Sequence, residues 1–174
     1  MKDTMTDLLT RRSVRSYLSD MVDEKTLDEI LEAGKYAPTG RNFQSPIMIA
    51  VTDRNLRDRI AKINASVMGS LNDPFYGAPC VIIVLADRSK APTTYVYDGS
   101  LVMGNLLLAA HAKGLGACWI HRAKETFETE EGKKILSELG ITGDYVGIGN
   151  CILGYPDGPL PETKPRKENY IYKV

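Results

Sequence analysis

The uninterrupted apolar run Cys80-Val81-Ile82-Ile83-Val84-Leu85-Ala86 constrains this chain more than any other stretch. It is rich in β-branched residues and far too short to span a bilayer, so it reads as a central strand buried on both faces. Such a strand needs cover on each side, and the rest of the chain offers it. Leu27, Ile30, Leu31 and Ala33 fall on one face of a helix starting at Asp23, with Pro38 beyond its end. Leu56, Ile60 and Ile63 mark another near Asn55 to Met68. From Tyr97 to Lys113 apolar residues appear all round the helix (Leu101, Val102, Met103, Leu106, Leu107, Leu108), which predicts a buried central helix ended by Gly114.

Shorter elements complete the set. Thr4 to Thr10 reads as a helix capped by Asp3 or Thr4, and Thr129 to Leu139 as a solvent-facing helix. Ile47 to Thr52, Ala117 to Ile120 and Tyr145 to Leu153 read as strands. The tail Tyr155 to Lys167, rich in Pro, Gly and charge, is expected to run extended over a surface, with Tyr170-Ile171-Tyr172 a candidate edge strand. The expected architecture is an α+β or α/β sandwich, a mixed central sheet flanked by helices, in one domain over residues 1–174. An all-round apolar helix and apolar tail residues in so small a chain suggest a dimer.

Charge narrows the partners. Among 174 residues, 22 Lys plus Arg balance 22 Asp plus Glu, so the whole surface holds no general attraction for nucleic acid or an anionic membrane. The N-terminal segment from Met1 to Asp7 is too acidic and polar for a secretion signal, and no apolar stretch reaches the length of a bilayer span. Cys80, Cys118 and Cys151 are widely spaced, odd in number and set among apolar neighbours; they read as reduced core thiols of a cytoplasmic protein.

Four stretches can carry chemistry. In Thr10-Arg11-Arg12-Ser13-Val14-Arg15, an extended backbone puts Arg11, Ser13 and Arg15 on one side, where two guanidinium forks and a hydroxyl can converge on a phosphate. Taken alone the same residues make a solvated basic turn. Lys164, Arg166 and Lys167 form a second basic cluster, by itself an ordinary charged tail; two separate clusters in a neutral protein suit a small phosphorylated ligand better than a long polyanion. Ala37-Pro38-Thr39-Gly40-Arg41-Asn42-Phe43-Gln44-Ser45-Pro46 joins helix to strand, and the amides of Asn42 and Gln44 match a heteroaromatic edge with alternating donors and acceptors. The alternative is a plain connecting loop in which Asn42 bonds its own backbone. Finally, Gly114-Leu115-Gly116-Ala117-Cys118-Trp119-Ile120-His121-Arg122 holds the only tryptophan. A Cys118–His121 catalytic pair is disfavoured there, because residues three apart on a strand face opposite ways. His111 reads as a core or helix-end histidine. No zinc or iron ligand spacing, Walker loop or nucleophile elbow occurs, and Gly147-Ile148-Gly149-Asn150-Cys151-Ile152 lacks the third glycine of a dinucleotide loop.

Together these pieces resemble the nitroreductase family of flavin enzymes. The resemblance runs from Arg11-Arg12-Ser13-Val14-Arg15-Ser16-Tyr17 through Ala33 to Pro46, the apolar helix and Gly114 to Ile120, and on to Leu153-Gly154-Tyr155-Pro156 and the basic tail. It implies a nitroreductase-like fold and a homodimer with FMN at the subunit interface. Arg11, Ser13 and Arg15 would hold the phosphate, ribityl chain and pyrimidine edge, with Arg12 adding backbone and charge. Pro38, Thr39, Gly40 and Asn42 would come from the other subunit, with Gln44 nearby. Trp119, Ile120 and His121 would line the ring or phosphate side, and Arg166 and Lys167 would return to the phosphate. The implied activity is transfer of hydride from NAD(P)H through the flavin to nitroaromatic or quinone-type acceptors in a ping-pong scheme, with no indispensable side-chain acid or base. A non-catalytic flavin-binding or sensor protein, or a flavin reductase or dehydrogenase for one metabolite, are the alternatives on the same scaffold. Gln44-Ser45-Pro46-Ile47 stands where the family often has Gln-Pro-Trp, and the chain is shorter than well-known members, with little from which to build a substrate lid.

Overall fold

Every residue of β2 (Cys80–Asp87) is buried, as a strand covered on both faces requires. The computed structural model describes residues 3–174; Met1 and Lys2, which open the polar N-terminal segment, lie outside the described residues. β2 pairs with β1 (Pro46–Val51) on one side and β4 (Tyr145–Gly154) on the other, and β3 (Gly116–Ile120) adds to β4. The order is β1-β2-β4-β3, with every neighbouring pair antiparallel. The named strands thus form an antiparallel sheet where a mixed one was expected; parallel pairing occurs among the described residues as an isolated bridge at the far edge, where Ser13 meets Ala117 of β3 and the Val14 N–H donates to the Ala117 carbonyl at 3.1 Å.

Alternation along β2 divides the core into two layers. Cys80, Ile82 and Val84 meet Leu27 and Ile30 of α2 (Glu24–Lys35) and Met103 and Leu106 of α4 (Tyr95–Ala112). Val81, Ile83 and Leu85 meet Ile60 of α3 (Arg54–Val67), Phe127 of α5 (Ala123–Glu128) and Ile135 of α6 (Glu130–Glu138). Each fully buried side chain of this kind contributes roughly 1.5–3 kcal/mol, so both layers are needed. The helices start where their caps dictate. The Asp23 carboxylate accepts the Thr26 N–H at 2.9 Å, and that of Asp53 accepts the Leu56 N–H at 2.8 Å.

Three further expectations need correction. The solvent-facing helix begins at Glu130 rather than Thr129, because Thr129 is extended and its hydroxyl caps Gly132 N–H at 3.0 Å. Ahead of it lies α5, whose single turn and a half is too short to show a hydrophobic period. Secondly, α4 is buried on one face only. Gly99, Val102, Met103, Leu106 and Ala110 face the core, while Val96, Tyr97 and Leu101 stand exposed on the other side of the single chain. Thirdly, Tyr170, Ile171 and Tyr172 form no strand and are exposed. The outer edge of β3 is already taken by the Ser13–Val14 segment, and the tail pairs only at its root, where Leu18 N–H donates to the Tyr155 carbonyl and Asp157 N–H to that of Ser16.

The approach of α5 to the sheet depends on a glycine. A Cβ at Gly147 of β4 would overlap the Ala123 carbonyl and lie 2.6 Å from Lys124 N, backbone that cannot rotate away. Gly147→Ala is therefore expected to lower stability by roughly 3 kcal/mol, read as an earlier denaturant midpoint. An unchanged midpoint would show that α5 is free to shift. No described helix is long and apolar enough to cross a membrane.

Candidate functional site

The chain leaves α1 (Thr4–Thr10) in extended conformation at Arg11, with φ −55° and ψ 136°. Val14 is buried against β3, where Gly116 lets it come close: a Cβ on Gly116 would lie 2.8 Å from Val14 Cβ. Alternation then sets Ser13 and Arg15 opposite Val14. The Arg12 guanidinium turns back to the end of α1, donating from Nη1 to the carbonyls of Leu9 (3.0 Å) and Arg11 (2.7 Å). Arg11 differs. Its Nη1 is buried without an acceptor, and no carboxylate pairs with Arg11 or Arg15 among the described residues. The Arg15 guanidinium lies 6.0 Å from the centre of the Tyr76 ring. A buried guanidinium nitrogen without an acceptor is costly, and a negatively charged acceptor relieves that cost.

Arg166 and Lys167 stay apart from this cluster within one chain. Both are exposed, with Lys167 Nζ 5.3 Å from the Tyr170 ring, and no bond joins them to Arg11–Arg15 among the described residues. Only the root of the tail, at Tyr155 to Asp157, runs beside the segment that carries the arginines.

After α2 the loop is tightly folded. A 3-10 turn spans Gly40–Asn42, and Arg41, Asn42 and Gln44 all have left-handed backbones, with φ of 50°, 56° and 49°. Non-glycine residues take that region only where their surroundings enforce it. Here Gln44 N–H donates to Thr39 Oγ1 at 3.1 Å, and Gln44 Nε2 to Asn42 Oδ1 at 3.0 Å. The Asn42 amide thus bonds a side chain, leaving its own backbone alone. Thr39, Asn42, Gln44, Pro46, Met48 and Val102 border a cavity of about 260 Å³. Asp98 of α4 anchors the loop from below through Gly40 N–H (2.9 Å) and the Ser45 hydroxyl (3.3 Å), a contact that sequence reading missed. Its one signal was a single acidic residue in an otherwise uncharged, apolar helix.

The end of β3 carries a third group of candidate residues. The Trp119 and His121 rings lie 5.9 Å apart, and Trp119 Nε1 is buried without an acceptor. Gly149 of β4 makes room for the indole, since a Cβ there would overlap Nε1. Buried Asn64 donates to the His121 carbonyl at 2.9 Å and buried Asn150 to that of Ile120 at 3.5 Å, which fixes the turn where Arg122 takes a left-handed backbone. Ile120 is buried and His121 exposed. A cavity of about 340 Å³ opens at His121, Arg122 and Glu125.

The remaining reactive groups lie elsewhere. Cys118 sits in the layer toward α3, α5 and α6, away from the exposed His121. Burial pushes the Cys80 thiol up to about 12 and raises that of Cys151 further. His111 is buried between α4 and α1, with Nε2 2.9 Å from Thr10 Oγ1. Among the described residues no cluster of His, Cys, Asp or Glu is placed to hold a metal.

Comparison with known proteins bears on the family and the fold. The profile of the nitroreductase family matches residues 8–72 and 66–155. A protein of Archaeoglobus fulgidus, named for NADH dehydrogenase/NAD(P)H nitroreductase activity, is 32% identical over 160 residues, covering 90% of this chain and 87% of its own. An FMN reductase [NAD(P)H] of Bacillus subtilis is 25% identical over 187 residues, covering 95% of this chain and 70% of its own. Among solved structures, a nitroreductase with bound FMN from Bacteroides fragilis superposes with a TM-score of 0.88 at 26% identity, over 100% of both chains. The two chains therefore match over their full extent.

Proposed function

The chain belongs to the nitroreductase family, and on that premise we propose that it is an FMN-dependent NAD(P)H oxidoreductase reducing nitroaromatic or quinone-type acceptors by a ping-pong cycle. The observation that carries the reading is the half-buried Arg11, whose Nη1 is buried and unpaired, on an extended segment that also bears Ser13 and Arg15. That donor set fits a phosphate monoester, and the unpaired indole N–H of Trp119 adds a second donor awaiting a ligand. FMN, when bound, supplies the redox chemistry, taking hydride from NAD(P)H and giving it up to the acceptor.

The chain's own residues bind and orient. Arg11, Ser13 and Arg15 hold the phosphate, ribityl chain and pyrimidine edge, and Arg12 contributes charge and backbone while its side chain secures α1. Pro38, Thr39, Gly40, Asn42 and Gln44 complete the site of the other subunit in a homodimer. Trp119, Ile120 and His121 line the ring, and Arg166 and Lys167 reach the phosphate once the tail is laid down. No side chain is assigned as acid or base. Support for the dimer comes from apolar surface left open on one chain: Tyr97 and Leu101 of α4, and Met5, Leu8 and Leu9 of α1.

The visible absorption spectrum of the purified protein tests this directly. The expected result is a flavin spectrum, release of FMN on denaturation, anaerobic bleaching by NADH or NADPH, and turnover with a quinone. Colourless protein that takes up no added FMN would overturn the reading. A bound flavin that neither nicotinamide bleaches would favour the non-catalytic flavoprotein.

A further inference from the structure

We propose that Asp98 is a positioning residue, which holds the Thr39–Gln44 loop in its left-handed conformation and so presents it to the cofactor. The inference rests on the FMN reading for the loop's purpose, though the anchoring itself stands on this chain's geometry. The Asp98 side chain lies in the first turn of α4 and is 2% exposed, without a cation paired to it among the described residues. A carboxylate in such a place persists only if its oxygens are hydrogen-bonded. Oδ1 accepts the Gly40 N–H at 2.9 Å; Oδ2 accepts the Thr94 hydroxyl at 3.1 Å and the Ser45 hydroxyl at 3.3 Å. The positive end of the α4 dipole adds to this.

These bonds pin the loop at both ends. Gly40 is pressed onto α4 so closely that a Cβ would lie 2.7 Å from Thr94 Oγ1. Ser45 is 1% exposed, and its carbonyl accepts the Asp87 N–H from β2 at 2.9 Å. Arg41, Asn42 and Gln44, the three left-handed residues, all lie between the pinned positions. Loss of Asp98 frees the Gly40 end and removes the Ser45 side-chain tie, while the Ser45 carbonyl stays on β2, and the segment between them relaxes toward ordinary backbone conformations. The same helical turn carries Val96 and Tyr97 outward, so a single element both anchors the loop and presents the open apolar face.

Arg41 makes the loop readable with trypsin. In flavin-free Asp98→Leu protein, cleavage after Arg41 is expected to be at least tenfold faster than in the parent, while cleavage after Lys62 of α3 is unchanged. FMN affinity, followed by fluorescence quenching, falls at least tenfold, and Asp98→Asn, which keeps an acceptor for Gly40, recovers part of both. Equal cleavage rates after Arg41 would overturn the proposal, as would a parallel rise after Lys62, which reports general loosening. Should Asp98→Leu fail to fold, Thr94→Val with Ser45→Ala removes the Oδ2 donors and is held to the same cleavage criterion. Failure of the parent to bind FMN would overturn the functional reading and the loop's role toward the cofactor, while the flavin-free cleavage would still decide the anchoring.

Discussion

Arg11→Ala combined with Arg15→Ala is expected to give folded, colourless protein. Arg11 brings a buried nitrogen with no acceptor, and neither arginine has a carboxylate to lose, so the change breaks no ion pair among the described residues. The fold should tolerate it. The half-buried Arg11 gives up no hydrogen bond from Nη1, and the shortened Arg15 gives up only a loose contact with Tyr76 at 6.0 Å. Binding is another matter. A hydrogen bond to a charged group contributes about 1.5–3 kcal/mol, so losing two such donors weakens the phosphate contact by roughly 10²- to 10⁴-fold. The absorption ratio of flavin to protein after purification measures the effect, with thermal melting as the check on folding. Yellow, fully loaded double-variant protein would sink the assignment of this segment. Arg12→Ala serves as the contrast: its guanidinium is engaged with Leu9 and Arg11 carbonyls, so its loss acts first on the end of α1.

What was legible in the sequence follows from how local each feature is. β2 announced itself because a strand covered on both faces has no polar positions to interrupt it. The helix start at Asp23 lies within a turn of the Thr26 N–H that it caps, whereas the helix read near Asn55 is capped one turn ahead of Leu56 by Asp53. The arginine cluster was visible because its members are contiguous, and so was the loop from Ala37 to Pro46. Asp98 was not, since its meaning lies in Gly40, 58 residues away, and no spacing rule connects them. Nor could periodicity divide α4 into its two faces. An apolar residue facing the core and one left exposed look alike in one dimension, and the fold separates exposed Val96, Tyr97 and Leu101 from buried Val102 and Met103. The role of Arg12 was hidden for the opposite reason. Three guanidinium groups within five residues are chemically equivalent until the backbone shows which of them turns back to a helix end.

On the proposed homodimer, Leu101→Arg is expected to leave a monomer in solution and to lower its flavin content with it. Leu101 is 47% exposed on the single chain and stands on the side of α4 away from the sheet, near Tyr97 at 69%. A guanidinium there costs the chain's own core nothing, since Val102, Met103 and Leu106 point the other way. Within an interface the two copies of Leu101 are related by the dimer axis, so one substitution buries two unpaired charges against apolar surface, a cost of several kcal/mol. Dissociation is the way out. If the Thr39–Gln44 loop serves the partner's cofactor, each monomer keeps Arg11, Ser13 and Arg15 and still lacks half of its site. Light scattering after size exclusion gives the mass, and the absorption ratio gives the flavin content. A variant that stays dimeric would move the interface away from this face of α4, whereas a monomer retaining full flavin would show that each chain builds its site alone.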